Sequence, residues 1–249
     1  MTTTQPSTQP RPSTPRRIDP AEAASQAVRR SALVAGTALL GVAVLAAAGN
    51  FGAVQRLVTD GNATRTGVDI MAARATFSLG VAALVVVVAL DIVVARALRV
   101  FFAPVHHGLA SVAAWLRVSY AAIFADAISQ LVVALRLLEN GRHLTGFALD
   151  HRRTEALLKI EAFQDIWRIS LVLFGLHLVL IGYLAYRSGY VPRVLGVLLA
   201  IAGAGYLVDS LGGIFSNSNA VNVSSVTFIG EAVLLVWLLV KGRRITLPA

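Results

Sequence analysis

ATFSLGVAALVVVVALDIVVA, residues 75–95, decides the fold class, because Asp91 is the only charge in the run. At about 1.5 Å per residue a helix of this length covers roughly 32 Å, enough for the ~30 Å hydrocarbon core of a bilayer. A membrane strand would alternate polar and apolar residues over about ten positions, and no such period is present. The reading is a helix in lipid, with every backbone polar group paired inside the segment. Asp91 then needs an explanation, since a carboxylate near the middle of such a helix costs about 2.5–3.5 kcal/mol unless it faces protein, water or an opposite charge.

Working outward, five more apolar runs appear at Ser31–Gly49, Gly108–Leu135, Ile169–Tyr186, Val194–Phe215 and Val223–Val240. The prediction is an all-α polytopic membrane protein, a bundle of six transmembrane helices over residues 19–244. A short C-terminal tail, 245–249, follows. The first eighteen residues, MTTTQPSTQPRPSTPRRI, offer almost nothing to bury and are expected to be a disordered cytoplasmic tail. They contain no apolar core or cleavage site, so they do not read as a signal peptide. Asp19-Pro20-Ala21-Glu22 supplies an N-cap acceptor, a proline for the first turn and an acid at the third position, so helix 1 should begin there.

Composition agrees. Hydrophobic residues make up 56% of the chain and charged residues 14%, and mean hydropathy is +0.71. The net charge of +9 would suggest nucleic acid in a soluble protein. Here the basic residues flank apolar runs, so membrane lipids are the expected partners and nucleic acid is not. With no cysteine in the chain, disulfides, Cys-ligated zinc, iron–sulfur clusters and thiol nucleophiles are excluded.

Sidedness follows from the basic residues. With the N-terminus inside, Arg11, Arg16, Arg17, Arg29, Arg30, Arg96, Arg99, Arg187, Arg193, Lys241, Arg243 and Arg244 are cytoplasmic. Arg56, Arg65, Arg74, Arg142, Arg152, Arg153, Lys159 and Arg168 lie opposite, in longer loops. The excess places both termini in the cytoplasm of a cell whose plasma (inner) membrane holds the protein. Before helix 4, Leu157, Ile160, Phe163 and Trp167 recur at helical spacing and suggest an amphipathic segment on the outer surface. Between helices 4 and 5, Gly189 ends one helix and Pro192 opens the next, making a tight hairpin. Gly196, Ala200 and Ala204, four apart, would let helix 5 approach a neighbour closely.

Six ionisable residues fall inside the spans: Asp91, Arg117, Asp126, His177, Asp209 and Glu231. Converting position to depth puts Asp91 roughly 7 Å, Arg117 and His177 roughly 12–14 Å and Glu231 roughly 15 Å from the inner ends. Asp209 and Asp126 fall roughly 22–26 Å out, near Arg74, Arg136 and Arg168. Each layer contains both signs. One reading pairs Arg117 with Asp91 or Glu231, and Asp209 or Asp126 with an outer arginine, so that the charges bind helices together. The other makes the six a ligand- or proton-binding set, since buried carboxylates and imidazoles exchange protons. His177 is the one histidine within a span, and no HExxH, GxSxG or phosphate-loop spacing occurs. No metal, cofactor or catalytic residue is therefore expected. His106 and His107 read as interfacial residues before helix 3.

The stretch from Phe174 to Ser210, FGLHLVLIGYLAYRSGYVPRVLGVLLAIAGAGYLVDS, and GEAVLLVWLLVKG, Gly230–Gly242, resemble the bacterial membrane-protein family catalogued as domain of unknown function 4386. The segment DIVVARALRVFFAPVHHGLASVAAWLRVSYAAI, Asp91–Ile123, is similar to that family's helix 2 to helix 3 region. The resemblance implies a multi-helix inner-membrane protein of no assigned activity and supplies no catalytic residues. The functional expectation is an integral membrane protein, not an enzyme, whose polar cluster binds or moves a small solute or ion, with a proton-linked carrier as its specific form. The alternatives are an intramembrane enzyme acting on a lipid and a purely structural or partner-binding protein.

Overall fold

The computed structural model describes residues 20–139, 146, 148–215 and 229–245. The predicted tails, 1–18 and most of 245–249, and Asp19 lie outside them. Among the described residues the chain is almost entirely helical, without strands. The elements are α1 (Pro20–Ala46), α2 (Ala63–Ala72), α3 (Arg74–Leu138), α4 (Leu149–Arg187), α5 (Arg193–Phe215) and α6 (Ile229–Val240). α1 continues as a π-helical stretch, Ala47–Val54, and a short 3-10 turn to Leu57. α2 is a helix where a loop was expected, and the Asn62 side chain caps it by accepting from the Arg65 N–H at 2.9 Å.

Among the described residues four helices are long and apolar enough to cross a membrane: α1 with its continuation, α3, α4 and α5. α3 contains two of the predicted spans, 75–95 and 108–135. As a straight rod its 65 residues would reach roughly 97 Å. Instead Arg74 at its start pairs with Glu139 just past its end, the Arg74 Nε donating at 2.7 Å. The reversal lies at His106, whose φ of −161° and ψ of 100° are non-helical, two residues after Pro104. Pro104 weakens the last turn before the break, since it lacks an N–H and crowds the carbonyl four residues before it. The His106 ring then accepts from the Leu109 N–H at 3.1 Å and so caps the second leg. α6 has twelve described residues, about 18 Å of helix. The predicted start of the sixth span at Val223 lies outside the described residues.

α4 packs between α3 and α5, and α6 lies against α1 and α5. The α4–α5 seam is made by glycines seven residues apart on each helix. A Cβ added to Gly182 would come within 2.6 Å of the Gly196 carbonyl oxygen, and one on Gly203 within 2.5 Å of that of Gly175. In lipid, close backbone approach supplies the dispersion contacts that hold helices together. Gly196 and Ala200 are at this seam as expected, whereas Ala204 is exposed and Gly203 takes its place. The hairpin turn follows the prediction, with Gly189 at φ +72°, the left-handed region that favours glycine.

The segment expected on the outer membrane surface is instead the first half of α4. Leu157, Ile160 and Phe163 are buried in the protein core rather than laid on lipid. Their helical spacing marks a core-facing stripe, which periodicity alone does not separate from a membrane-facing one. At 39 residues, α4 is roughly 58 Å long and extends well past a bilayer's hydrocarbon.

Candidate functional site: a buried charge cluster

The two legs of α3 and the middle of α4 bring Asp91, Arg117 and His177 together at 1%, 2% and 1% exposure. Arg117 donates to Asp91 Oδ1 from Nε at 3.0 Å and from Nη2 at 2.6 Å. Its Nη1 lies 3.3 Å from His177 Nε2. His177 Nδ1 lies 2.8 Å from the Ala113 carbonyl oxygen. A carbonyl can only accept, so Nδ1 carries the proton and Nε2 presents a lone pair to the guanidinium. The guanidinium also sits over the Phe174 ring, with Cζ 5.3 Å from its centroid, a cation–π contact.

The fork of Arg117 spends two donors on a single carboxylate oxygen. Asp91 Oδ2 is left buried with no hydrogen-bond partner. A second carboxylate oxygen in the same condition is Glu231 Oε1, near the start of α6. Glu231 lies within electrostatic reach of both Arg117 and Asp91 and shares a side-chain hydrogen bond with Tyr206 of α5. Four of the six predicted residues, Asp91, Arg117, His177 and Glu231, thus form one cluster.

The other two stand apart. Asp126 is exposed and forms no ion pair among the described residues. Asp209 is half-buried and outside the Asp91–Arg117–His177 hydrogen bonds, although its charge reaches Tyr206. Asp126 does not take up the expected pairing with an outer arginine: Arg74 takes Glu139 and Arg168 takes Asp165. Among the described residues no three His, Asp or Glu side chains converge as a metal site requires.

Sequence reasoning missed the aromatic wall around the cluster. Phe174 stacks near His177 with centroids 6.0 Å apart, Tyr206 meets Phe174 edge-on at 5.3 Å, and Tyr120 lies against Phe174 at 4.9 Å. Trp167 Nε1 donates to the Tyr120 hydroxyl at 3.4 Å. The signal was present in the spacing, since Phe174 precedes His177 by three and Tyr120 follows Arg117 by three. Side chains three apart on a helix share a face.

A family model matches residues 34–242, and its description is Domain of unknown function (DUF4386). The chain belongs to this family. All four clustered residues lie within the DUF4386 match, as do both legs of α3, α4, α5 and α6. An uncharacterised protein of Archaeoglobus fulgidus is 33% identical over 163 residues, covering 64% of this chain and 82% of that protein. This likeness extends to an archaeon. No solved structure matches the chain.

Proposed function

We propose that this DUF4386 protein crosses the plasma membrane six times with both termini in the cytoplasm, and that its buried cluster binds a proton or small cation while moving a small solute. Six crossings follow if each leg of α3 spans once and α1, α4, α5 and α6 once each. The observation that supports a binding role is the pair of buried, unpartnered carboxylate oxygens, Asp91 Oδ2 and Glu231 Oε1. Two acids face one guanidinium, and the imidazole offers Arg117 a lone pair rather than a charge. In surroundings of low dielectric an uncompensated carboxylate is expensive, so a proton or monovalent cation held at Glu231 balances the cluster.

The geometry divides the labour. Asp91 and Arg117 already balance one another's charge, which favours a bracing role for that pair and leaves Glu231 as the exchanging group. The test uses full-length protein in liposomes loaded with a pH-sensitive dye, supplied in turn with sugars, amino acids and monocarboxylates. Wild type should move protons with at least one solute class, and Glu231→Gln should stop that movement while keeping its elution profile and helix content. Proton movement no greater than in empty liposomes across the panel, or movement unchanged by Glu231→Gln, refutes the reading.

A further inference from the structure

We infer that the end of the bundle formed by the α3 hairpin and the α4–α5 turn is a binding surface for anionic phospholipid headgroups. Four segments meet there. Tyr190 in the α4–α5 turn donates its hydroxyl to the Phe101 carbonyl near the hairpin tip at 2.7 Å. Phe101 contacts Trp237 near the end of α6 with centroids 6.4 Å apart. Arg29 of α1 reaches the Ile245 carbonyl, just beyond α6, at 2.6 Å.

Among the described residues this end collects many cations and few anions. Arg30, Arg96, Arg187, Arg193, Lys241 and Arg244 are all exposed there, and none is in an ion pair among the described residues. Among the described residues the nearest carboxylates in sequence are Glu22, about two turns before Arg29, and Asp91, which is buried and held by Arg117. The opposite end is built differently. Four of its arginines are matched, Arg65 with Asp69, Arg74 with Glu139, Arg153 with Asp150 and Arg168 with Asp165, whereas Arg56 and Arg136 are exposed outside these pairs.

The apolar surface beside these cations selects a lipid over a soluble anion. Arg96 follows Ile92 and Val93, which are exposed; Arg193 adjoins Val194, which is 70% exposed; Lys241 follows the exposed Val240. Each charge thus stands at the rim of an exposed aliphatic wall. A phosphodiester headgroup with acyl chains satisfies both parts at once, whereas inorganic phosphate satisfies only the first. Arg193 is braced for this position by its Tyr186 ring contact, Cζ to centroid 5.7 Å.

The test is lipid binding by the intact protein in detergent, read by native mass spectrometry, with phosphatidylglycerol and phosphatidylcholine offered in turn. Phosphatidylglycerol should bind at least tenfold more tightly, and added salt should erode the difference. At about fivefold per basic side chain, Arg96→Gln, Arg187→Gln and Arg193→Gln together should weaken phosphatidylglycerol binding by about a hundredfold. Arg65→Gln with Arg168→Gln, at the matched end, should leave it unchanged. Should the triple variant not fold, Arg187→Gln alone, at an exposed site, should still show about a fivefold loss. Equal binding of the two lipids, retention of binding in the folded triple variant or in Arg187→Gln, or displacement of the lipid by equimolar inorganic phosphate overturns the proposal.

Discussion

Replacing Arg117 by methionine removes two hydrogen bonds to Asp91 Oδ1, one to His177 and the cation–π contact with Phe174, while keeping a chain of similar length. Asp91 is 1% exposed, so water cannot substitute for the lost donors. Breaking a buried pair by removing one partner typically costs about 3–5 kcal/mol, because a charge stays behind uncompensated. The same range applies to Asp91→Leu, which strands the guanidinium. Removing both partners together should instead cost little, since replacing a whole buried pair with apolar side chains is often neutral. The expected coupling is therefore at least about 2 kcal/mol, measured as a double-mutant cycle of unfolding free energies from denaturant titration in mild detergent. Single losses below about 1 kcal/mol, or losses that simply add in the double variant, would show that the pair is hydrated and that the sealed geometry is wrong.

The α4–α5 seam predicts a sharp contrast between glycines. Gly203→Ala should destabilise by about 1–3 kcal/mol, because its methyl would meet the Gly175 carbonyl oxygen at 2.5 Å and two backbones must part. Gly212→Ala, on the same helix with nothing within 4 Å, should be neutral or stabilising by up to about 1 kcal/mol in the same titration. At the α4–α5 turn, Tyr190→Phe should cost about 1 kcal/mol by freeing the Phe101 carbonyl. Burial raises the Tyr190 hydroxyl above its ordinary value of 10.0, so the folded state favours the protonated form. That contribution is complete below about pH 10 and is lost as pH rises above it. Tyr190→Phe should therefore lose less stability than wild type between pH 9 and about pH 11, read from thermal midpoints.

How far the sequence revealed this arrangement depends on what each signal measures. The composition and the run around Asp91 gave the all-α membrane class because apolar length is a property of single segments. Rise per residue also placed Asp91, Arg117, His177 and Glu231 at similar depths, and the structure has them in one cluster. Depth along a helix is linear in residue number, so it transfers directly. Azimuth is not linear in that way. Asp126 shares a helix with Arg117 but lies nine residues on, two and a half turns, and so faces outward. Partner choice was equally hidden, since Arg74 lies near Asp126 in expected depth yet pairs with Glu139, 65 residues away.

The α3 hairpin shows why the cationic end and the site are linked. Its tip puts Arg96 and Arg99 on the cationic end, with Arg99 Nε donating to Ser111 Oγ across the turn at 3.0 Å. The same fold brings Asp91 on the first leg opposite Arg117 on the second, 26 residues apart. The break at His106 therefore fixes two registers at once, because any slip that moved Arg99 past Ser111 would also pull Asp91 out of reach of Arg117. A helix slides by about 1.5 Å per residue, and a hydrogen bond of 2.6 Å does not survive such a shift. The buried pair is thus a sensitive reporter of the hairpin as a whole. Changes at Pro104 or His106 that relax the reversal should lower stability by the same mechanism as Arg117→Met, and the two kinds of change should be less than additive when combined.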